Sequence, residues 1–547
     1  MRALSGLLTI GLMVAAGSSA RQEPTAPIFG ETVEVRVVNL EAVVTDRDGL
    51  PVTGLMAGDF VLRVDGAEVP IQYFSEVRGG DAVEIEPGRG GTVSGVPELV
   101  PGTPVGTSYL LFIDEFFSIA RDRDFVLRGI RDELSRLGPE DRMAIVAWDG
   151  RELEMLSSWS SSGPELARAF RAAMARKPRG LERVSEARTF GVEQQFGHSL
   201  GGSRTRRSFD SRLSLTERQY AALIEQEVSS AVSATTAALR SFANPPGRKV
   251  LILLSGGWPF DPIDYATGTL FGSVNEPGIK RGEELYAPLV ATANQLGYTV
   301  YPVDVPGLVG SVANDVTVSG FNNSNGDTEA FANETITQFS LRHLAEETGG
   351  LALINAGRTR ALEQVQGDTR TYYWLGFVPD WQGDDRAHDV VLEVKHQGLE
   401  VRGRTGYVDL SRQAETSMVV ESVLMFGDGP DVRPLELTVG APKRSGIARI
   451  QVPIRIQVPA DEIVFLPSDE SLIAQLELRV AAADESGGRS DVPVLPVRLV
   501  VDRQPRGGEK ASYETVLELR KARTRIVVAL YDLASGAIWS AVAEVNP

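Results

Sequence analysis

Two hydrophobic rhythms divide the chain. From about Glu31 to Val77 the chain reads as β-rich, with apolar and polar residues alternating in Val33-Glu34-Val35-Arg36-Val37 and Ala42–Thr45 continuing in extended style. Phe60–Val64 keeps that habit between turns at Asp46–Gly49 and Asp65-Gly66, which reads as half-buried strands. Gly79 to Pro104 is rich in Gly, Pro and Val and reads as a linker. Between about Gly106 and Asp368 the rhythm changes. The continuous apolar run Tyr109–Ile113 and the strands read at Met143–Trp148, Lys249–Leu254 and Thr299–Val305 alternate with stretches of helical spacing, among them Phe125–Leu137, Gly163–Met174, Leu215–Phe242, Glu283–Leu296 and Thr337–Thr348. Runs apolar at every position suit strands buried on both faces, so this alternation predicts a mostly parallel, doubly wound sheet covered by helices.

Alternation of period two then returns. Thr371–Val378, Asp389–Lys395 and Leu399–Arg404 read as strands, a short helix fits around Ser411–Phe426, and from Pro430 onward five further strands suggest a separate C-terminal β-sandwich over 430–547. The expected class is therefore α/β plus all-β. Segments 31–79 and 369–410 are each too small for a stable sandwich and are expected to pack together around the inserted 106–368 domain.

The N-terminus carries Arg2, a short apolar stretch from Leu7 to Ala16 and small residues at Ser18-Ser19-Ala20, the form of a secretory signal over 1–20. No later stretch is apolar for the roughly 20 residues that a membrane span needs. The expectation is a secreted or periplasmic protein with no membrane span after cleavage. Composition narrows the chemistry. Cys is 0 and His is 4, which leaves out disulfide scaffolds, thiolate metal sites and histidine-rich centres. With 55 Lys+Arg against 73 Asp+Glu the net charge is -18, the wrong sign for a general nucleic-acid binder.

In an open parallel sheet ligands bind beyond the carboxyl ends of the strands. The residues placed there are Asp114-Glu115-Phe116-Phe117-Ser118, Asp149-Gly150, Ser255-Gly256-Gly257 and Asp304. Asp114 at the end of the first strand joins several ordered motifs: Val33-Glu34-Val35 to Asp48-Gly49, Asp59-Phe60, Asp141-Arg142-Met143, Arg248-Lys249, Leu344–Gly350, Tyr373–Phe377 and Arg404–Tyr407. Over 31–408 this order resembles the secreted bacterial proteins related to the von Willebrand factor A domain, of the acidobacterial type. The resemblance implies an A-type fold and, in intact members, a divalent cation held by an Asp-x-Ser-x-Ser loop, a Thr and a later Asp. Asp114 and Ser118 match the first and last places of that loop, and they are the two metal-ligand candidates. Phe116 replaces the middle hydroxyl and Gly256 stands where the later Asp is expected, so the site reads as degenerate. No cofactor is expected, and Mg²⁺ or Ca²⁺ enters only if Glu115 or Asp261 substitutes. Otherwise Asp114 and Ser118 are expected to cap the helix beginning near Arg121.

Other motifs lack a required residue. Tyr109–Glu115 has the form of a Walker B strand without any phosphate loop, Leu253 stands where a hydrolase elbow needs Gly, and His343 has no second His for a zinc helix. Tyr372, Tyr373, Trp374 and Phe377 read as strand core. From Arg176 to Leu213 nine Lys and Arg face four acids, against the balance of the whole chain. The favoured reading is a non-catalytic adhesion or protein–protein interaction module, its contact face made of Glu115, Phe116 and Phe117 with Arg204, Arg206 and Arg207 of that basic insertion. Its partner is an unknown protein or an envelope polymer. The alternatives are a hydrolase using carboxylates near Asp114, Glu115 and Asp149, and a structural envelope component.

Overall fold

The computed structural model describes residues 37–83, 100–183, 213–242, 247–268, 276–307, 324–411, 433–445, 449–468, 471–484 and 494–546, with scattered positions at 185–190, 270 and 414–424. The N-terminal signal reading and Arg204, Arg206 and Arg207 lie outside the described residues. The chain forms two compact units, one covering Val35–Leu410 and the other built from Ser411–Pro547. The class is mixed α/β with an all-β unit.

The first unit opens with strands β1 (Val38–Thr45), β2 (Phe60–Val64), β3 (Ala67–Glu68), β4 (Tyr73–Arg78) and β5 (Asp81–Val83). The stretch read as a linker thus begins with a strand, because Asp81–Val83 pairs back on Glu76–Arg78. There follow β6 (Thr107–Asp114), helix α1 (Ala120–Asp132), β7 (Arg142–Trp148), β8 (Leu153–Ser160), α2 (Gly163–Ala175), α3 (Leu215–Ser241), β9 (Arg248–Ser255), α4 (Pro262–Thr267), α5 (Gly282–Leu296), β10 (Tyr298–Asp304), α6 (Ser324–Thr348) and α7 (Ala361–Thr369). Strands β11 (Tyr372–Phe377), β12 (Arg386–Val394), β13 (Glu400–Arg402) and β14 (Gly406–Asp409) close the unit. Helix α6 starts at Ser324, earlier than the apolar spacing over Thr337–Thr348 announces.

One sheet has the order β10-β9-β6-β7-β8, with the first four strands parallel and β8 antiparallel at the edge. The central stretches of its four parallel strands are apolar because both faces are covered, while the edge strand β8 is largely polar. Tyr109, Leu111 and Ile113 pack with Val126 and Ile130 of α1, Leu166 and Phe170 of α2, and Leu362 and Val365 of α7. The intervening Leu110 and Phe112 are equally buried and, by the period of two, point to the other face.

The remaining strands of this unit form two antiparallel sheets, β13-β1-β11-β4-β5 and β14-β12-β2-β3. Val38, Leu40 and Val44 meet Phe60, Leu62, Tyr373, Leu375, Phe377, Val390 and Tyr407 between them. Each sheet mixes strands from before and after the parallel sheet, as in the register Val38 opposite Phe377 and Val390 opposite Val64. The joint to the parallel sheet is polar and buried. Arg404 donates to Glu41 at 2.9 Å and also to the Asn294 carbonyl. Arg248, 1% exposed, donates to the Thr369 carbonyl and lies 4.4 Å from the Tyr372 ring. Gly349 has φ +79, and a Cβ there would lie 2.7 Å from the Gly403 backbone. Several of the ordered motifs, Arg248-Lys249, Leu344–Gly350 and Arg404–Tyr407, therefore meet at this joint.

The second unit is a β-sandwich. Arg449–Pro459 alternates strictly, with Ile450, Val452, Ile454, Ile456 and Val458 buried against Leu476, Leu478 and Val480 of Ser471–Asp484 and Ile526, Val528 and Leu530 of Thr524–Asp532. On the reverse face Val420, Val423 and Leu424 pack on Ala481, Val527 and Ala529.

Candidate functional site

Strand β6 continues through α1 to β7 on one side and has β9 on the other, so the crevice of interest opens between the carboxyl ends of β6 and β9. Asp114 ends β6 there and is fully buried. Its Oδ1 accepts from the Phe116 and Phe117 N–H groups, each at 3.0 Å, and its Oδ2 from the Trp258 indole Nε1 at 2.7 Å. The Gly256 backbone N–H also favours its charged form. Burial nevertheless pushes its carboxyl up to about 6, the donors pulling the other way.

This set of partners explains both departures from the cation-binding pattern. Gly256 passes so close to the β6 loop that a Cβ would lie 2.2 Å from the Phe117 carbonyl, so no aspartate side chain fits there without opening the loop. Trp258, two residues on, brings a buried N–H donor to the carboxylate instead of a second carboxylate to a cation. The indole is held by the α5 ring of Tyr286, stacked at 6.5 Å, and its backbone carbonyl accepts from Ser340 Oγ at 2.6 Å.

Asp114 and Ser118 do not cap the following helix. The N-cap of α1 is Ile119, without a side-chain bond, because the Asp114 carboxylate is spent on its own loop and the crevice. Ser118 is 1% exposed, and its Oγ has no hydrogen-bond partner among the described residues. Glu115 and Asp261, the two substitutes considered for the missing ligand, are engaged elsewhere. Asp261 accepts from Ile263 and Asp264 N–H at the start of α4 and from Arg281 Nε at 2.6 Å.

Glu115 also corrects the expected contact face. It is 1% exposed, with Oε1 on Arg123 Nη1 at 2.9 Å and Oε2 on Arg176 Nε at 2.7 Å, so it is an internal ion-pair centre and presents nothing to a partner. Burial raises its carboxyl while the two guanidinium groups oppose that rise. Phe117 is buried too. Phe116 lies 5.5 Å from Trp148 and beneath the guanidinium groups of Arg179 and Arg183, at 5.5 and 5.3 Å.

Those arginines belong to the start of the basic insertion, which docks on the β6 loop. The Arg179 N–H donates to the Glu115 carbonyl at 2.7 Å and the Gly180 N–H to the Ser118 carbonyl at 3.0 Å. A Cβ on Gly180 would lie 2.4 Å from that same Ser118 oxygen, so glycines clamp the loop from two sides. Arg183 is paired in turn with Glu227 of α3. Asp149 holds its own turn, accepting from Arg151 and Glu152 N–H. Asp304, at the end of β10, is 7% exposed and raised by burial, with backbone bonds from Gly307 and Asn355.

Trp258, Arg123, Arg176, Arg179 and Gly180 are the site residues that sequence reasoning missed. Gly256-Gly257-Trp258 after a buried strand was the available signal, an aromatic donor beside backbone that approaches closely. Among the described residues no helix is long and apolar enough to cross a membrane.

No protein-family model and no curated protein matches the chain. Solved structures give distant likenesses. Proximal thread matrix protein 1 from the mussel byssus is 14% identical over 50% of this chain, with a TM-score of 0.24. The chain spans 48% of that protein's length. The pilus adhesin SpaC from Lactobacillus rhamnosus GG is 9% identical, covering 88% of this chain and 60% of its own, at a TM-score of 0.22. A Bacteroides uniformis β-glucuronidase is 10% identical over 33% of this chain and 19% of its own, at 0.15.

Proposed function

We propose that the chain is a non-catalytic, extracytoplasmic binding module whose A-type domain, of the kind resembling von Willebrand factor A, works without a cation at the crevice. The observation that carries this reading is the Asp114 carboxylate, whose two oxygens are taken by backbone N–H groups and the Trp258 indole. A hard cation needs near-octahedral oxygen ligands, and Phe116 and Gly256 supply no side-chain oxygen. The carboxylates that a hydrolase would use are occupied as well, Glu115 by two arginines and Asp149 by its turn. With Glu115 internal, the contact residues that remain charged and unassigned are Arg204, Arg206 and Arg207 of the basic insertion, whose charge suits an acidic partner protein.

The test is capture of a partner from the envelope extract of the source cells on the immobilised mature chain. The expected result is equal recovery of one partner with and without added Mg²⁺, and at least a tenfold loss when Arg204, Arg206 and Arg207 are all changed to Glu. Capture that requires Mg²⁺ and disappears in Asp114→Asn overturns the cation-free reading. Capture indifferent to the triple charge reversal overturns the assigned surface.

A further inference from the structure

Away from the crevice, the antiparallel pair β12–β14 assembles a second group of ligating side chains. Its register sets Arg386 opposite Asp409 and His388 opposite Tyr407, which places His388 and Asp409 on one face as diagonal neighbours. The turn before β12 adds Asp384. One ligand atom from each of Asp384, His388 and Asp409 lies within 4.8 Å of the others. We infer that Asp384, His388 and Asp409 form a site for one divalent cation of borderline softness, with Zn²⁺ as its representative.

The donor chemistry selects the ion. An imidazole nitrogen with two carboxylates suits Zn²⁺ better than Ca²⁺, which takes six to eight oxygens. Zinc bonds of about 2.0–2.2 Å place neighbouring tetrahedral ligands roughly 3.3 Å apart, so the group needs to tighten by about 1.5 Å at most. Asp384 is exposed and can supply that movement. Asp409 is 3% exposed and fixed, its Oδ2 accepting from Gln382 N–H at 2.6 Å and its Oδ1 from Gly383 N–H at 3.0 Å. Each oxygen of a carboxylate has two lone pairs, so one N–H on each leaves acceptor capacity for a cation.

His388 is prepared in the way metal-bound histidines usually are. Its Nδ1 is 2.7 Å from Oδ2 of Asp65, a carboxylate outside the trio, and its ring stacks on Tyr407 at 4.9 Å. A carboxylate on one ring nitrogen fixes the tautomer and leaves Nε2 as the ligand. Asp65 is itself held by the Asp389 N–H at 3.0 Å, so the orienting group has a fixed place. Three carboxylates thus gather round one imidazole, and Arg386, mostly exposed, lies 4.0 Å from Asp384. A dication offsets that concentration of negative charge, with the fourth position left to water or an external ligand.

The experiment is metal analysis after equilibrium dialysis of the metal-free full-length chain against Zn²⁺, with calorimetry for affinity. The expected result is one Zn²⁺ per chain, abolished in His388→Ala and in Asp384→Ala, and weakened roughly 10- to 100-fold in Asp65→Asn. Asp384 is exposed and, among the described residues, its hydrogen bond and ion pair are with Arg386, so Asp384→Ala keeps the fold, which circular dichroism checks. His396→Ala, at the separate exposed pair of His396 with Asp59, serves as the control that retains binding. Absence of stoichiometric Zn²⁺, or binding that survives both Asp384→Ala and His388→Ala, overturns the site.

Discussion

Two carboxylates in one unit meet opposite fates. Asp114 stands where a parallel sheet offers its ligand crevice, yet three N–H groups converge on it and a tryptophan ring closes the space. Asp409 stands at the end of an antiparallel strand in the flanking sandwich, takes one backbone N–H on each oxygen, and keeps an imidazole and a second carboxylate for neighbours. Position in the fold marks the first as the metal site. The surroundings of each carboxylate reverse that assignment: Asp114 Oδ1 takes two N–H groups, the buried indole stands against Oδ2, and Phe116 and Gly256 bring no second side-chain oxygen, whereas Asp409 has an imidazole and a carboxylate beside it.

The largest effect that can break this contrast is at Asp114. Asp114→Ala leaves several buried donors without an acceptor, each costing about 1–3 kcal/mol, offset in part by relief of a desolvated carboxylate. A net loss of about 3 kcal/mol in urea unfolding is expected, whereas a loss below about 1 kcal/mol marks an open, solvent-filled crevice. Trp258→Phe deletes the indole N–H and leaves a smaller ring in a buried site, so the expected loss is at least about 1.5 kcal/mol, the lower end for a hydrogen bond to a charged group, with a cavity cost added. A further effect is in pH dependence. With its carboxyl raised to about 6 from the ordinary 3.8, folded Asp114 keeps a proton that the unfolded chain releases. This group therefore favours the fold near pH 4, and that contribution is lost as the pH rises through 6. Carbon-detected titration of the side chain with a midpoint below 4 contradicts it.

The same contrast separates what the sequence carried from what it did not. Tyr109–Ile113 and Met143–Trp148 announce buried strands because every residue is apolar, and both lie inside strands of the parallel sheet. Phe116 and Gly256 showed that ligands were missing, since the absence of an oxygen is a property of residue type alone. What replaced them was not legible, because Trp258 reaches Asp114 through a loop from another strand, 144 positions away. Glu115 reads as a surface acid for the same reason, its partners being Arg123 and, 61 positions on, Arg176. Asp384, His388 and Asp409 give no motif at all. They become neighbours only through the register of β12 on β14, and side-chain chemistry does not encode register at a distance. Arg248 and Arg404, by contrast, carried a visible signal with a different meaning, since they are buried at the joint between the sandwich and the parallel sheet.

The central claim is that the crevice at Asp114 is closed to cations by the protein's own donors. Calorimetric titration of the Asp384→Ala chain with Mg²⁺ isolates that crevice from the second site. The account predicts no saturable binding and no change in melting temperature; stoichiometric Mg²⁺ binding that is lost on adding Asp114→Asn contradicts it.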